Sequence, residues 1–214
     1  MKSGEITALQ RGVKSRNVNI YIDGEYSFSV VDNTVVEFKL FKGKKLNEDE
    51  IRGIVKKDIE SRYYYRAIDR ILSRPRSEFE IRKYLKEKIS KSKYKDKIDE
   101  SVIENVISRL RDNQYLDDYA FAIWWLENRI AFKSKSKLEL KMELSTKAVS
   151  PDVIEKAVAE IVDSDSEKQM ALDLVEKRMK SLSGKNISKV EKLDRVKKYL
   201  QRKGYSWDII KQVI

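Results

Sequence analysis

SKLELKMEL, residues 136–144, is the stretch on which the fold turns, because the chain makes nearly the same statement three times. The earlier version is SEFEIRKYL, 77–85, and the later one is SKVEKLDRVKKYL, 188–200. Each opens on a serine with a glutamate three residues on: Ser77 with Glu80, Ser136 with Glu139, Ser188 with Glu191. That spacing reads as a capping box, in which the hydroxyl takes the backbone N–H three residues along and the carboxylate returns to the cap. Behind each box the apolar residues keep helical spacing: Phe79, Ile81, Tyr84 and Leu85; Leu138, Leu140 and Leu144; Leu193, Val196 and Leu200. The third of these helices is longer by about one turn. A serine beside a glutamate also has the makings of a nucleophile and base, but the same spacing at three helix starts reads as capping.

Working outward, the helix after each box also recurs: DESVIENVISRL from Asp99, SPDVIEKAVAEI from Ser150 and SWDIIKQVI from Ser206. Each opens on a good N-cap residue, and Pro151 sits where a missing N–H is harmless. A helix precedes each box as well: 65–74, 118–132 and 167–182. The unit is therefore three helices, repeated at roughly 50–60 residues. One such unit cannot bury its own apolar face, so neighbours must stack. The expected fold is mainly α, with tandem three-helix repeats forming an elongated, curved array. Residues 47–117 hold the first helical region and repeat one, 118–163 repeat two, and 164–214 repeat three. Residues 1–46 differ. NVNIYIDGEYSFSVV alternates apolar and polar residues around Asp23-Gly24, a preferred hairpin turn, and VVEFKLF, 35–41, is a candidate third strand. Asn47 with Glu50 is a further capping box, opening a helix toward Ser61.

Composition narrows the function. Lys and Arg number 46 against 35 Asp and Glu, a net charge of +11. Such a surplus favours a polyanionic partner, although a generally basic proteome would also produce it. The chain has no Cys and no His. Disulfides, thiol nucleophiles and His-dependent triads are thereby excluded. Gly43-Lys44 and Gly184-Lys185 lack the rest of a phosphate loop. Asp117-Asp118 fits an N-cap and a first-turn acid better than a metal site. No enzyme activity, metal or cofactor is expected. The longest apolar run, YAFAIWWL at 119–126, is too short for a membrane span, and MKSGEITALQRG lacks a signal-peptide core. A soluble, cytoplasmic, monomeric protein is the expectation.

Basic clusters are the positive signal. Arg70, Arg74 and Arg76 gather at the corner of repeat one. KEKISKSKYKDK, 86–97, includes Lys91 and Lys93. RIAFKSKSK contributes Arg129, Lys133, Lys135 and Lys137, and Arg202 and Lys203 occupy the corner of repeat three. These are the candidate contacts to a partner protein or to phosphates; a solvated face is the alternative. Trp124 and Trp125 are adjacent, so both are not expected to face one core; one could offer a stacking surface, but burial between neighbouring repeats is the simpler role. Tyr63-Tyr64-Tyr65 spans too much of a helix for every ring to be buried.

AIDRILSRPRSEFEIRKYL, then VISRLRDNQYLDDYAFAIWW, then KSKLELKMELSTKAVSPDVIEKAV, resembles the RecX family of RecA regulators. The resemblance runs through Ala67, Leu72, Arg74, Arg76-Ser77-Glu78, Leu85, Leu116-Asp117-Asp118, Phe121 and Ala122, and covers roughly 65–214 in order. Three departures stand out. Gln114 precedes Tyr115, and Ala148 occupies a corner, where the family favours Gly; the run Phe132 to Ser136 also lacks one. Gly204 keeps it. The resemblance implies a non-enzymatic regulator of the RecA filament on DNA. It would restrain strand exchange, ATP hydrolysis and the co-protease role in the SOS response. The other candidate is a protein that binds single- or double-stranded DNA directly through its helical repeats. The acidic VIEKAVAEIVDSDSE makes a poor recognition helix.

Overall fold

The structure, a computed structural model, describes residues 3–12, 17–92, 98–132, 134–184 and 186–214. The chain divides into two compact units: 1–74 with 81–115, and 75–80 with 116–214.

The first unit opens with a sheet. Strands β1 (Gly4–Arg11), β2 (Asn17–Ile22), β3 (Glu25–Val31) and β4 (Lys45–Leu46) lie in the order β3-β2-β1-β4, with antiparallel pairing. Asp23 and Gly24 join β2 to β3 with φ of 48° and 84°. Positive φ at both positions is what a type I′ turn requires. Alternation then puts Val18, Ile20, Ile22, Phe28 and Val30 on the buried face, where Ile51 and Ile54 of helix α2 (Glu48–Ser73) cover them.

Two expectations for this region need correction. The third and fourth strands are β1 and β4, not residues 35–41. A register shift between Ile6 and Ala8 breaks the alternation of β1 and hides it from a period-two reading. Residues Asp32–Glu37 form a short helix, α1. The cause is Asp58, 3% exposed on α2. One of its carboxylate oxygens accepts from Val31 N at 2.7 Å and from Thr34 Oγ1 at 3.0 Å. Those bonds end the β3 ladder and fix the turn. Arg62 Nε holds the other oxygen at 2.5 Å and reaches Asn17 Oδ1 through a second nitrogen. The clamp ties α2 to the sheet, and α2 runs unbroken across the gap expected near Ser61. Its start is a complete capping box: Glu50 N to Asn47 Oδ1 and Asn47 N to Glu50 Oε2, both 2.8 Å. Beyond it come α3 (Glu78–Ser90) and α4 (Ser101–Asp112). Of the three tyrosines, Tyr63 and Tyr64 are buried and Tyr65 is exposed.

The second unit holds α5 (Asp118–Phe132), α6 (Lys137–Ser145), α7 (Pro151–Ile161), α8 (Ser164–Leu182), α9 (Lys189–Arg202) and α10 (Trp207–Val213). Helices α5, α6 and α7 enclose Phe121, Leu126, Leu140, Leu144, Ile154 and Ala157. Helices α8, α9 and α10 enclose Leu174, Val196, Leu200, Tyr205 and Ile210 in the same manner. Trp124 and Trp125 are both half-buried against the Phe121 core, contrary to the expectation for adjacent residues. Their rings lie edge to face, 6.3 Å apart. They do so because indoles are long enough to lean inward from the flanks of the apolar stripe.

Helices α4, α6 and α9 end alike. Tyr115 N donates to Leu110 O, Val149 N to Leu144 O and Tyr205 N to Leu200 O. Such an ending puts the preceding residue in the left-handed region, and φ is 59° at Gln114, 54° at Ala148 and 81° at Gly204. The geometry is thus the same with or without glycine. Gln114 and Ala148 adopt a conformation that costs a side chain about 1–2 kcal/mol, partly offset by the lower entropy of a non-Gly residue when unfolded. Gln114→Gly and Ala148→Gly should each raise stability, by up to about 1 kcal/mol. Gly204→Ala should lower it, because a Cβ there would stand 2.7 Å from Leu138 Cδ2. Urea midpoints of the three variants check both signs.

Candidate functional site

The serines of the first two boxes do more than cap. Ser77 Oγ accepts from Glu80 N at 3.3 Å and donates to the Lys147 carbonyl at 3.0 Å. Ser136 Oγ accepts from Glu139 N at 3.1 Å and donates to the Lys203 carbonyl at 2.5 Å. Both serines are fully buried. The glutamates reach out rather than back: Glu80 Oε1 takes Lys147 Nζ, and Glu139 Oε1 takes Lys203 Nζ, each at 3.1 Å. So the boxes of Ser77 and Ser136 each grip the end of the next boxed helix, by a lysine's backbone carbonyl and by its ammonium. That correction follows from geometry. A lysine that ends a helix offers an unpaired carbonyl and a charge for the carboxylate. Leu138 extends the grip by lying over Gly204. Phe79 and Leu138, expected in the cores of their own repeats, are 43% and 52% exposed.

Asp117 and Asp118 are both N-terminal caps. Asp117 Oδ1 accepts from Tyr119 N and Ala120 N on its own helix. Asp118 Oδ1 accepts from Glu78 N, at the start of α3. Among the described residues no group of Asp and Glu has the arrangement of a metal site.

Glu143 organises a second cluster. Its Oε2 accepts from Arg129 Nε at 2.7 Å and Trp125 Nε1 at 2.9 Å, while Oε1 pairs with Lys135. Arg129 and Lys147 lie against the Trp125 ring, at 4.3 Å and 5.0 Å from its centre. Burial pushes the Glu143 carboxyl up, but the bonds from Lys135 and Trp125 and the charges of Lys135 and Arg129 outweigh it, holding it below the usual range. Tyr205 is 4% exposed, and its hydroxyl has no hydrogen-bond partner among the described residues. Burial first, then the nearby Glu139, Glu167 and Asp173, raises its pKa and keeps the phenol neutral.

The candidate cations therefore divide. Arg129 and Lys135 meet at Glu143, Lys137 pairs with Glu167 at 3.3 Å, and Lys203 pairs with Glu139. Lys91 is exposed and pairs with Glu87 one turn away. Arg70 is exposed beside the Tyr84 ring, and Arg202 is exposed in the last turn of α9. Arg74 and Arg76 flank Pro75, half-buried. Lys93 and Lys133 lie outside the described residues. Residues not singled out from sequence are Lys147, Glu143 and the outward role of Glu80 and Glu139. One signal was available: Lys147-Ala148-Val149 and Lys203-Gly204-Tyr205 share a pattern of lysine, small residue, apolar residue.

Fold and corners together define a tandem three-helix repeat protein with an N-terminal sheet. Three family models match in chain order: regulatory protein RecX N-terminal domain on 4–47, the second RecX three-helix domain on 117–158, and the third on 165–214. Regulatory protein RecX of Bacillus subtilis (strain 168) is 34% identical over 192 residues, 90% of this chain and 69% of the relative. That of Listeria welshimeri is 30% identical over 211 residues, 99% and 74%. A crystal structure of a regulatory protein RecX superposes with a TM-score of 0.81 at 25% identity, covering 98% of both chains. RecX from Lactobacillus salivarius, at 23% identity and a TM-score of 0.61, covers 72% of this chain and shares the fold. The chain belongs to the RecX family.

Ser136→Ala removes a cap and a buried donor to a carbonyl, and should cost about 1–3 kcal/mol. Ser188→Ala removes only a cap and should cost about 1 kcal/mol or less. Equal losses in denaturant titrations would remove the grip from the energetics. Because the Glu143 carboxyl is held low, its contribution is present above the unfolded glutamate value and lost as pH falls through the folded one. Stability should therefore fall as the pH drops below the ordinary glutamate range, and less steeply in Glu143→Gln.

Proposed function

We propose that this protein is a non-enzymatic regulator that binds the RecA filament on DNA and restrains its recombinase, ATPase and co-protease activities, in DNA repair and the SOS response. Membership of the RecX family across nearly the whole chain carries the reading. The charge of +11 supports it, since the partner is a protein polymer wound on a polyanion. The protein would act as a monomer in the cytoplasm, and no helix among the described residues is long and apolar enough to cross a membrane. Its helical regions at 47–117, 118–163 and 164–214 would present the contacts. Arg70 and Arg202 are the strongest of the candidate contacts, because they are exposed, whereas Arg129, Lys135, Lys137 and Lys203 are held in internal pairs.

Direct DNA binding is the second reading, and α9 favours it. That helix carries Lys189, Lys192, Arg195, Lys197, Lys198 and Arg202 against Glu191 and Asp194. Phosphate contacts from such a helix would be independent of sequence and sensitive to salt.

The test is ATP hydrolysis by RecA on single-stranded DNA with this protein added substoichiometrically, beside salt-matched binding to naked DNA. Inhibition well below the amount that coats the DNA is the expected result. Unchanged hydrolysis with tight, salt-dependent binding to bare DNA would replace this reading with the second. Arg70→Glu with Arg202→Glu should weaken inhibition several-fold at unchanged thermal midpoint. Full inhibition by the folded double variant would take those residues out of the interface.

A further inference from the structure

Ser188 and Glu191 repeat the chemistry of the two gripping boxes, and neither grips a helix end. Ser188 Oγ accepts from Glu191 N at 3.1 Å, as its counterparts do, but it is exposed and its hydroxyl proton has no acceptor among the described residues. Glu191 turns to Arg195 on its own helix at 2.7 Å. Val190 stands where Leu138 lies over Gly204 in the preceding repeat, and it is 77% exposed against 52% for Leu138 and 43% for Phe79. Serine donor, carboxylate and apolar residue therefore face outward together.

We infer that Ser188, Val190 and Glu191 form a docking site for a lysine-bearing helix end of the repeat's own type, supplied by a further three-helix unit. The occupant follows from continuity: the serine and glutamate positions hold such an end twice within this chain, and the apolar position lies over one of those ends, Leu138 over Gly204. It must offer a lysine carbonyl to Ser188 Oγ, the lysine ammonium to Glu191 in exchange for Arg195, and a small residue at positive φ beneath Val190. Lys147-Ala148 and Lys203-Gly204 have this form. A second copy of the chain does not supply it, because each copy's two such ends are already held by its own Ser77 and Ser136.

The experiment joins a second copy of residues 164–214 after Ile214 of the full chain and follows amide hydrogen exchange. The amides of Val190 and Glu191 should slow about tenfold or more relative to the unextended chain. Ser188→Ala with Val190→Asp in the extended chain should remove that protection while the copy's own helices stay protected. An added copy that folds without slowing those amides overturns the inference. An added copy that stays unfolded overturns it equally, since the site would then fail to seat the very unit that Ser136 seats in the native chain. RecA plays no part in the measurement, so the result stands apart from the regulator reading.

Discussion

A serine hydroxyl that accepts from its own helix and donates to the end of the next one is the interaction on which the second unit depends. Both of its bonds satisfy groups that helix geometry leaves open: an N–H at the start of one helix and a carbonyl at the end of another. In water each would be solvated and the contact worth little. Ser77 and Ser136 are fully buried, so breaking either bond leaves a polar group stranded. The grip is therefore a matter of register more than of attraction. It fixes the register in which the start of α6 meets the end of α9. The third box shows the same cap without such a partner among the described residues.

Charge follows the same logic. Four glutamates of the second unit are committed to cations within the fold: Glu80 to Lys147, Glu139 to Lys203, Glu143 to Arg129 and Lys135, Glu167 to Lys137. Partly exposed pairs of this kind add modest stability and chiefly specify geometry. The surplus cations fall elsewhere, on outer positions such as Arg70 and Arg202 and along α9. A run of cations in sequence is thus a poor guide to a binding surface. RIAFKSKSK looked like one continuous patch, yet its described cations are drawn inward by glutamates from two other helices.

The sequence by itself determined the repeat, the boundaries of α5 and the order of helices, because helix caps and the 3.6-residue period are local properties. It determined the β2–β3 hairpin, because Asp23-Gly24 supplies both positive φ values within two residues. It also yielded the family, since Leu116-Asp117-Asp118 and the serine boxes are linear motifs. Tertiary structure decided the rest. Asp58, from far along α2, turned Asp32–Glu37 into a helix, and a bulge hid β1. Glu80 and Glu139 turned from their own caps to lysines some 60–70 residues away, and Gln114 and Ala148 took glycine's conformation because the helix-ending hydrogen bonds demanded it. At Asp58, Glu80 and Glu139 a long-range bond outweighed a local preference worth about 1 kcal/mol, and no short window of sequence contains both partners of such a bond.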